Sequence, residues 1–180
     1  MHIGEILKAD TSNGSGMRLT IFVSGCTIHC PDCFNEKTWD FDYGVEWTEA
    51  LKESVIEEAS KSYYKGITIL GGEPFEPENQ IEISKFLKEF KERLPEKDIW
   101  MFTGNRYDVN LQPGGNRYTD DTDDILNMID ILVDGPFKRD LKNITLNFRG
   151  SENQRIIDMK KTREKGEIVL HPLNDFVSRY

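Results

Sequence analysis

The chain has 180 residues, 37% hydrophobic and 31% charged, with 32 acidic against 23 basic side chains and a formal net charge of −9. That balance suits one folded domain with a real core and excludes a disordered polymer. So acidic a surface repels phosphate backbones, which argues against a nucleic-acid partner, and no apolar run approaches the ~18 residues of a membrane span.

The start, Met1 to Lys8, has no basic region followed by an apolar core. No export signal is therefore expected, and the cytoplasm is the expected compartment. Ile3 to Asp10 is mixed and reads as an edge or N-terminal segment. Asn13-Gly14-Ser15-Gly16 is a tight loop, able to approach a ligand or simply to turn into the next strand. Arg18-Leu19-Thr20-Ile21-Phe22-Val23, rich in β-branched and aromatic residues, predicts a first buried strand, ended by Ser24-Gly25. After the cysteines, Thr48 is placed to cap a helix whose Leu51, Val55, Ala59 and Tyr63 share a buried face. Ile67 to Leu70 predicts a second strand, running straight into Gly71-Gly72-Glu73-Pro74. The next helix puts Ile83, Phe86, Leu87, Phe90 and Leu94 on one face and stops at Pro95. Ile99 to Phe102 predicts a third strand, leading to Thr103-Gly104-Asn105. Residues 106–124 hold Pro113-Gly114-Gly115 and several aspartates, and read as a surface excursion. Ile125 to Ile129 predicts a short helix capped from that acidic run. Ile131 to Val133 is a fourth strand, ended by Asp134-Gly135-Pro136-Phe137, and weaker strands are expected at Ile144–Phe148, Gln154–Asp158 and Glu167–Leu170. The basic residues Lys138, Arg139, Lys142, Arg149 and Arg155 read from composition as a solvated face.

Cys26, Cys30 and Cys33, at C-x3-C-x2-C spacing, are the chain's only three cysteines. Thiolates this close in one loop can converge on a soft metal centre. A four-iron cluster ordinarily takes four cysteines, one per iron. A cubane held here would have one iron without a protein sulfur, and an open metal position is where a metal site does chemistry. The spacing also admits zinc on the three cysteines and His29, since Cys3His is a common structural set, although structural zinc sites usually draw two short pairs from separated parts of a chain. A disulfide with a spare thiol is the remaining reading, with nothing in the sequence to mark an exported chain.

Strand-then-helix order is the mark of parallel βα units. The cysteine loop, Gly-Gly-Glu-Pro, Thr103-Gly104 and Asp134-Gly135-Pro136 each follow the C-terminal end of a predicted strand. In barrel-like α/β folds catalytic groups gather at that rim, and full closure takes ~250 residues. The expected fold is therefore α/β, an incomplete βα barrel of parallel strands with helices outside, in a single domain over 1–180. Convergence on one rim points to an enzyme; an electron carrier gains nothing from an iron left unligated by protein.

The cysteine loop after a first strand, with Gly71-Gly72-Glu73-Pro74 after the second, resembles the radical S-adenosylmethionine superfamily. Cys33-Phe34-Asn35, Lys37-Thr38-Trp39, Trp100 to Gly104, Val133 to Phe137, and Arg149-Gly150-Ser151-Glu152-Asn153-Gln154-Arg155 narrow the resemblance. They are similar to motifs of the activating proteins of anaerobic (class III) ribonucleoside-triphosphate reductases. The resemblance implies a 4Fe–4S cluster on Cys26, Cys30 and Cys33, with S-adenosylmethionine chelating the fourth iron through its amino nitrogen and carboxylate. It implies reductive cleavage to a 5′-deoxyadenosyl radical, which takes a hydrogen atom from a glycine Cα of the large reductase subunit. It also implies that Gly71, Gly72 and Glu73 meet the methionine amino group, that Asp134 lies near the cofactor, and that Asp32 and Phe34 flank the adenine. In much of the superfamily the residue before the third cysteine is aromatic; here it is Asp32, which leaves stacking to Phe34 or to backbone contacts. His29 is no ligand in this reading. Reduced flavodoxin or a similar donor would supply the electron. Arg139, Arg149 and Arg155 would help dock the reductase, within a partner-facing portion over 137–180. Another glycyl-radical enzyme as the target is the alternative that the same motifs allow.

Overall fold

The computed structural model describes residues 1–175; the end of the expected partner-facing portion, 176–180, lies outside the described residues. Its elements in chain order are β1 (His2–Asp10), β2 (Arg18–Val23), β3 (Val45–Glu46), α1 (Glu49–Ala59), β4 (Gly66–Gly71) and α2 (Pro77–Arg93). Then come β5 (Asp98–Phe102), α3 (Thr122–Met128), β6 (Ile131–Asp134), β7 (Arg155–Asp158) and α4 (Met159–Lys165). Among the described residues the strands form one open sheet of seven in the order β3-β1-β2-β4-β5-β6-β7. The inner strands β2, β4, β5 and β6 pair in parallel. β1 against β2 and β7 against β6 are antiparallel. This is the incomplete α/β barrel expected. No helix among the described residues is long and apolar enough to cross a membrane.

Side-chain alternation along the strands divides the labour between the two faces. Leu19, Ile21, Val23, Ile67, Ile69, Ile99, Met101 and Leu132 join Val55, Ile56, Ile83, Phe86, Leu87, Phe90 and Ile125 in the main core beneath the helices. The intervening residues face the other way. Trp100, Ile131, Val133 and Ile156 form a second, smaller cluster there, against Phe102 and Phe148. Buried Arg18 lies on that side too, its Nε donating to Thr68 Oγ1 at 2.7 Å and its guanidinium 5.4 Å from the Trp100 ring centroid. The helices therefore own one face of the sheet, and the opposite face is left for a site.

Thr48 caps α1 through its Oγ1, which accepts from Leu51 N, a bond of about 1 kcal/mol in such positions. The helix stops at Ala59, so Tyr63 is exposed and its neighbour Tyr64 enters the core instead. β1 lies one place in from the edge, which the two-residue β3 occupies. α3 takes no side-chain cap from the acidic run. Ile144–Phe148 is not a strand but turns on either side of a single bridge residue, Leu146, with Ile144 86% exposed, and of Glu167–Leu170 only Leu170 makes an isolated bridge, to Ile157. The helix α4, capped by Asp158 at Lys161 N, follows β7 directly, between the two last strands expected from the sequence. Residues 106–121 are no mere surface excursion: Leu111 is fully buried, and Gln80 of α2 donates to Arg117 O at 2.7 Å.

Candidate functional site

Because β2, β4, β5 and β6 run in parallel, the loops after them emerge at the same end of the sheet. There they enclose a cavity of about 560 Å³, its wall including Cys26, Cys30, Cys33, Gly71 to Glu73, Thr103, Gly104 and Gly135. Leu70, Phe102 and Val133 of the helix-free sheet face line it as well.

The cysteine loop is held by its own return. Gly25 N donates to Thr38 O at 2.8 Å and Cys26 N to Trp39 O at 3.2 Å, while His29 stacks on Trp39 with centroids 4.3 Å apart. His29 and Asp32 sit at φ +50° and +57°, each immediately before a cysteine. Non-glycine residues hold that left-handed conformation only where the surroundings fix it, at about 1–3 kcal/mol each. All three cysteines are free thiols; Cys26 is buried and the other two half-buried. Burial pushes the Cys26 thiol up to about 11, against hydrogen bonds from the backbone N–H of Ile28 and His29, and burial also raises Cys30. Thiols so placed are held as thiolates only against the positive charge of a metal.

His29, the fourth ligand a zinc site would need, is turned onto Trp39. No group of three or more His, Cys, Asp or Glu among the described residues is drawn together on a single ion. Three thiols on the wall of one roomy cavity, in a chain without a fourth cysteine, are the donor set of an iron cluster with one iron open.

Gly-Gly-Glu-Pro packs directly against this loop. Gly72 N donates to Val23 O at 2.7 Å and Glu73 N to Gly25 O at 2.8 Å. Gly71 has φ +116°, and a Cβ on Gly72 would stand 2.5 Å from Gly25 O and 2.8 Å from Thr38 O, so only glycine permits the approach. Glu73 is 1% exposed. Its Oε1 accepts from Phe75 N at 2.9 Å and Thr103 Oγ1 at 2.7 Å, and its Oε2 from Gly104 N at 2.9 Å. Burial outweighs those three donors and pushes its carboxyl up to about 7. Asn79, on the first turn of α2, adds a second tie, donating to Ser24 O at 2.9 Å and to Glu73 O at 3.1 Å.

Asp32 and Phe34 also line the cavity, Phe34 85% exposed. Asp32 accepts from Arg139 Nε at 2.8 Å and from its Nη2 at 2.7 Å, a forked pair at the cavity's edge. The structure does not bring the Asp134 carboxylate to the cavity wall. It is fully buried and accepts from Tyr107 N at 2.8 Å and Arg155 Nε at 2.9 Å. Arg155 reaches Asp108 as well, and Arg149 donates to Gln154 O and to Asn174 O and Oδ1. Of the three arginines read as docking residues, two are therefore bound within the fold and Arg139 alone is exposed. Sequence reasoning missed Asn79, Glu76 and Arg117; Asn79 meets Ser24 across 55 positions and Arg117 meets Glu76 across 41, distances over which local pattern carries no signal.

The fold and the three-thiol cavity define an iron–sulfur protein of the radical S-adenosylmethionine type. The family model described as 4Fe-4S single cluster domain matches residues 12–157. The anaerobic ribonucleoside-triphosphate reductase-activating protein of Escherichia coli (strain K12) is 36% identical over 156 residues, covering 86% of this chain and 96% of that protein. The same-named protein of Enterobacteria phage T4 is 35% identical over 156 residues, 87% and 93% of the two chains. That of Haemophilus influenzae is 36% identical over 159 residues, 87% and 97%. The chain belongs to the family of anaerobic ribonucleoside-triphosphate reductase-activating proteins.

Proposed function

We propose that this protein activates an anaerobic ribonucleoside-triphosphate reductase by generating a radical on a glycine of its large subunit. The observation that carries the reading is the union of three thiols, with no fourth, and the Gly-Gly-Glu-Pro loop on one cavity wall. When bound, a reduced 4Fe–4S cluster supplies the electron that cleaves S-adenosylmethionine to the radical that abstracts the glycine hydrogen. Cys26, Cys30 and Cys33 hold the cluster. Gly71 and Gly72 offer backbone to the methionine end of the cofactor, and Glu73 fixes that loop to Thr103 and Gly104 beneath it. Asp32 and Phe34 stand where the adenine would lie. Asp134 acts at one remove, holding Tyr107 N and Arg155 and so the shape of the loops around the cavity. Exposed Arg139 faces the reductase, a reduced flavodoxin or similar protein gives the electron, and the cytoplasm is the compartment.

Electron paramagnetic resonance of the anaerobically reconstituted, reduced protein tests this. Adding S-adenosylmethionine is expected to change the cluster signal, and Cys30→Ala is expected to abolish both cluster retention and glycyl-radical formation. A signal indifferent to the cofactor, or a fully active Cys30→Ala protein, would overturn it.

A further inference from the structure

We propose that Arg117 is a positioning residue of the iron–sulfur site, clamping Thr27 through Glu76 so that the turn after Cys26 keeps its amide hydrogens on the Cys26 sulfur. The inference rests on the reading that this loop holds the cluster. Cys26 Sγ accepts from the backbone N–H groups of Ile28 and His29, inside a turn whose last residue is in the left-handed region. Thr27 anchors that turn. Its N and its Oγ1 both donate to Glu76 Oε1, at 2.7 and 2.8 Å. Arg117 pairs with the other oxygen of Glu76 and donates from Nη2 to Thr27 Oγ1 at 2.5 Å, which closes a ring of three side chains.

The ring is built to hold position. Glu76 is buried at the residue preceding α2, and the Arg117 side chain is 14% exposed. Arg117 is itself fixed, its N donating to Asn110 O at 3.1 Å and its O accepting from Gln80. The segment 106–121 thus delivers a cation to the first turn of the cysteine loop, next to a buried carboxylate that would otherwise stand uncompensated beside the site. Hydrogen bonds to cluster sulfurs and net charge near the cluster both set its reduction potential. Loss of Arg117 loosens the amides on Cys26 and leaves Glu76 unneutralised, and both changes drive the potential more negative.

The test is a redox titration of the reconstituted full-length protein, followed by electron paramagnetic resonance, with Arg117→Met, Arg117→Lys and Thr27→Val. At full iron content, Arg117→Met is expected to make one-electron reduction about tenfold less favourable, about 59 mV more negative. Arg117→Lys is expected to restore part of the shift, because a cation returns without the fork to Thr27. Thr27→Val, which leaves the Glu76–Arg117 pair in place, is expected to move the potential the same way by less, and it decides the matter if Arg117→Met does not fold. Unchanged potentials in the variants at full iron content would overturn the clamp while leaving the proposed function standing. Failure of the wild-type protein to take up iron would remove both.

Discussion

Asn79 offers the sharpest test of how the site's loops are joined. One amide nitrogen bridges Ser24 O, at the exit of β2, and Glu73 O, in Gly-Gly-Glu-Pro. Asn79→Asp keeps the volume and removes only the donor, setting a carboxylate oxygen where two carbonyls stand 2.9 and 3.1 Å away. Two lost hydrogen bonds cost about 1 kcal/mol each, and a buried carbonyl left without a partner adds about 1–3 kcal/mol. Glu73 O keeps the Glu76 N–H at 3.1 Å, so the second penalty falls mainly on Ser24 O. These terms sum to about 3–5 kcal/mol, a large part of the ~5–15 kcal/mol that holds a typical domain, and repulsion between the carboxylate and the two carbonyls adds to the sum. Asn79→Ala loses the same donor without adding a charge and is expected to cost about 3–5 kcal/mol, less than the aspartate variant. Urea unfolding of the metal-free protein, followed by tryptophan fluorescence at pH 8 and pH 5, measures both. The aspartate deficit should shrink at pH 5, where the carboxyl regains a proton to donate. An aspartate variant within about 0.5 kcal/mol of wild type, or an alanine variant worse than the aspartate one, would refute the reasoning, because volume and not the donor would then decide.

Three further outcomes are expected. The Glu73 carboxyl, raised from 4.5 to about 7 by burial, favours its protonated form in the fold. Its contribution is complete below pH 4.5 and is lost as pH rises through about 7, so metal-free wild type should lose about 3 kcal/mol between pH 5 and pH 8 relative to Glu73→Gln; parallel urea titrations check it. Gly72→Ala should displace the cysteine loop, because both clashing atoms are backbone, and iron bound per chain after reconstitution should fall several-fold. Arg155→Met strands the buried Asp134 carboxylate and should cost about 3–5 kcal/mol, whereas Arg139→Ala, which breaks an exposed pair, should cost under about 1 kcal/mol in the same unfolding assay.

What could be read from the sequence was what local pattern controls. The runs Arg18–Val23, Ile67–Leu70, Ile99–Phe102 and Ile131–Val133 each became a parallel strand, and the motif after each reached the same cavity. Boundaries set by tertiary packing were not legible. Every-fourth-residue spacing carried Tyr63 into the core, but α1 ends one turn earlier and the chain turns so that Tyr64 goes in. The apolar character of Ile144–Phe148 suggested a strand, yet the segment folds mainly as turns, and its Ile144 and Phe148 line the cavity. Asp134 followed a strand like a ligand-facing residue, and its side chain turned inward because Arg155, on the antiparallel β7, stands opposite it. No spacing rule within one loop reveals such a pairing.

The open sheet has a consequence for how a reactive intermediate survives. Past β7 no further described strand continues the sheet, and the cavity's lining includes Phe34 and Ile144, loop residues standing in solvent. A chamber of this form does not keep water out unaided. On the proposed function, the visiting polypeptide would serve as its own door, sealing the room in which it is altered, and confinement would become a property of the pair.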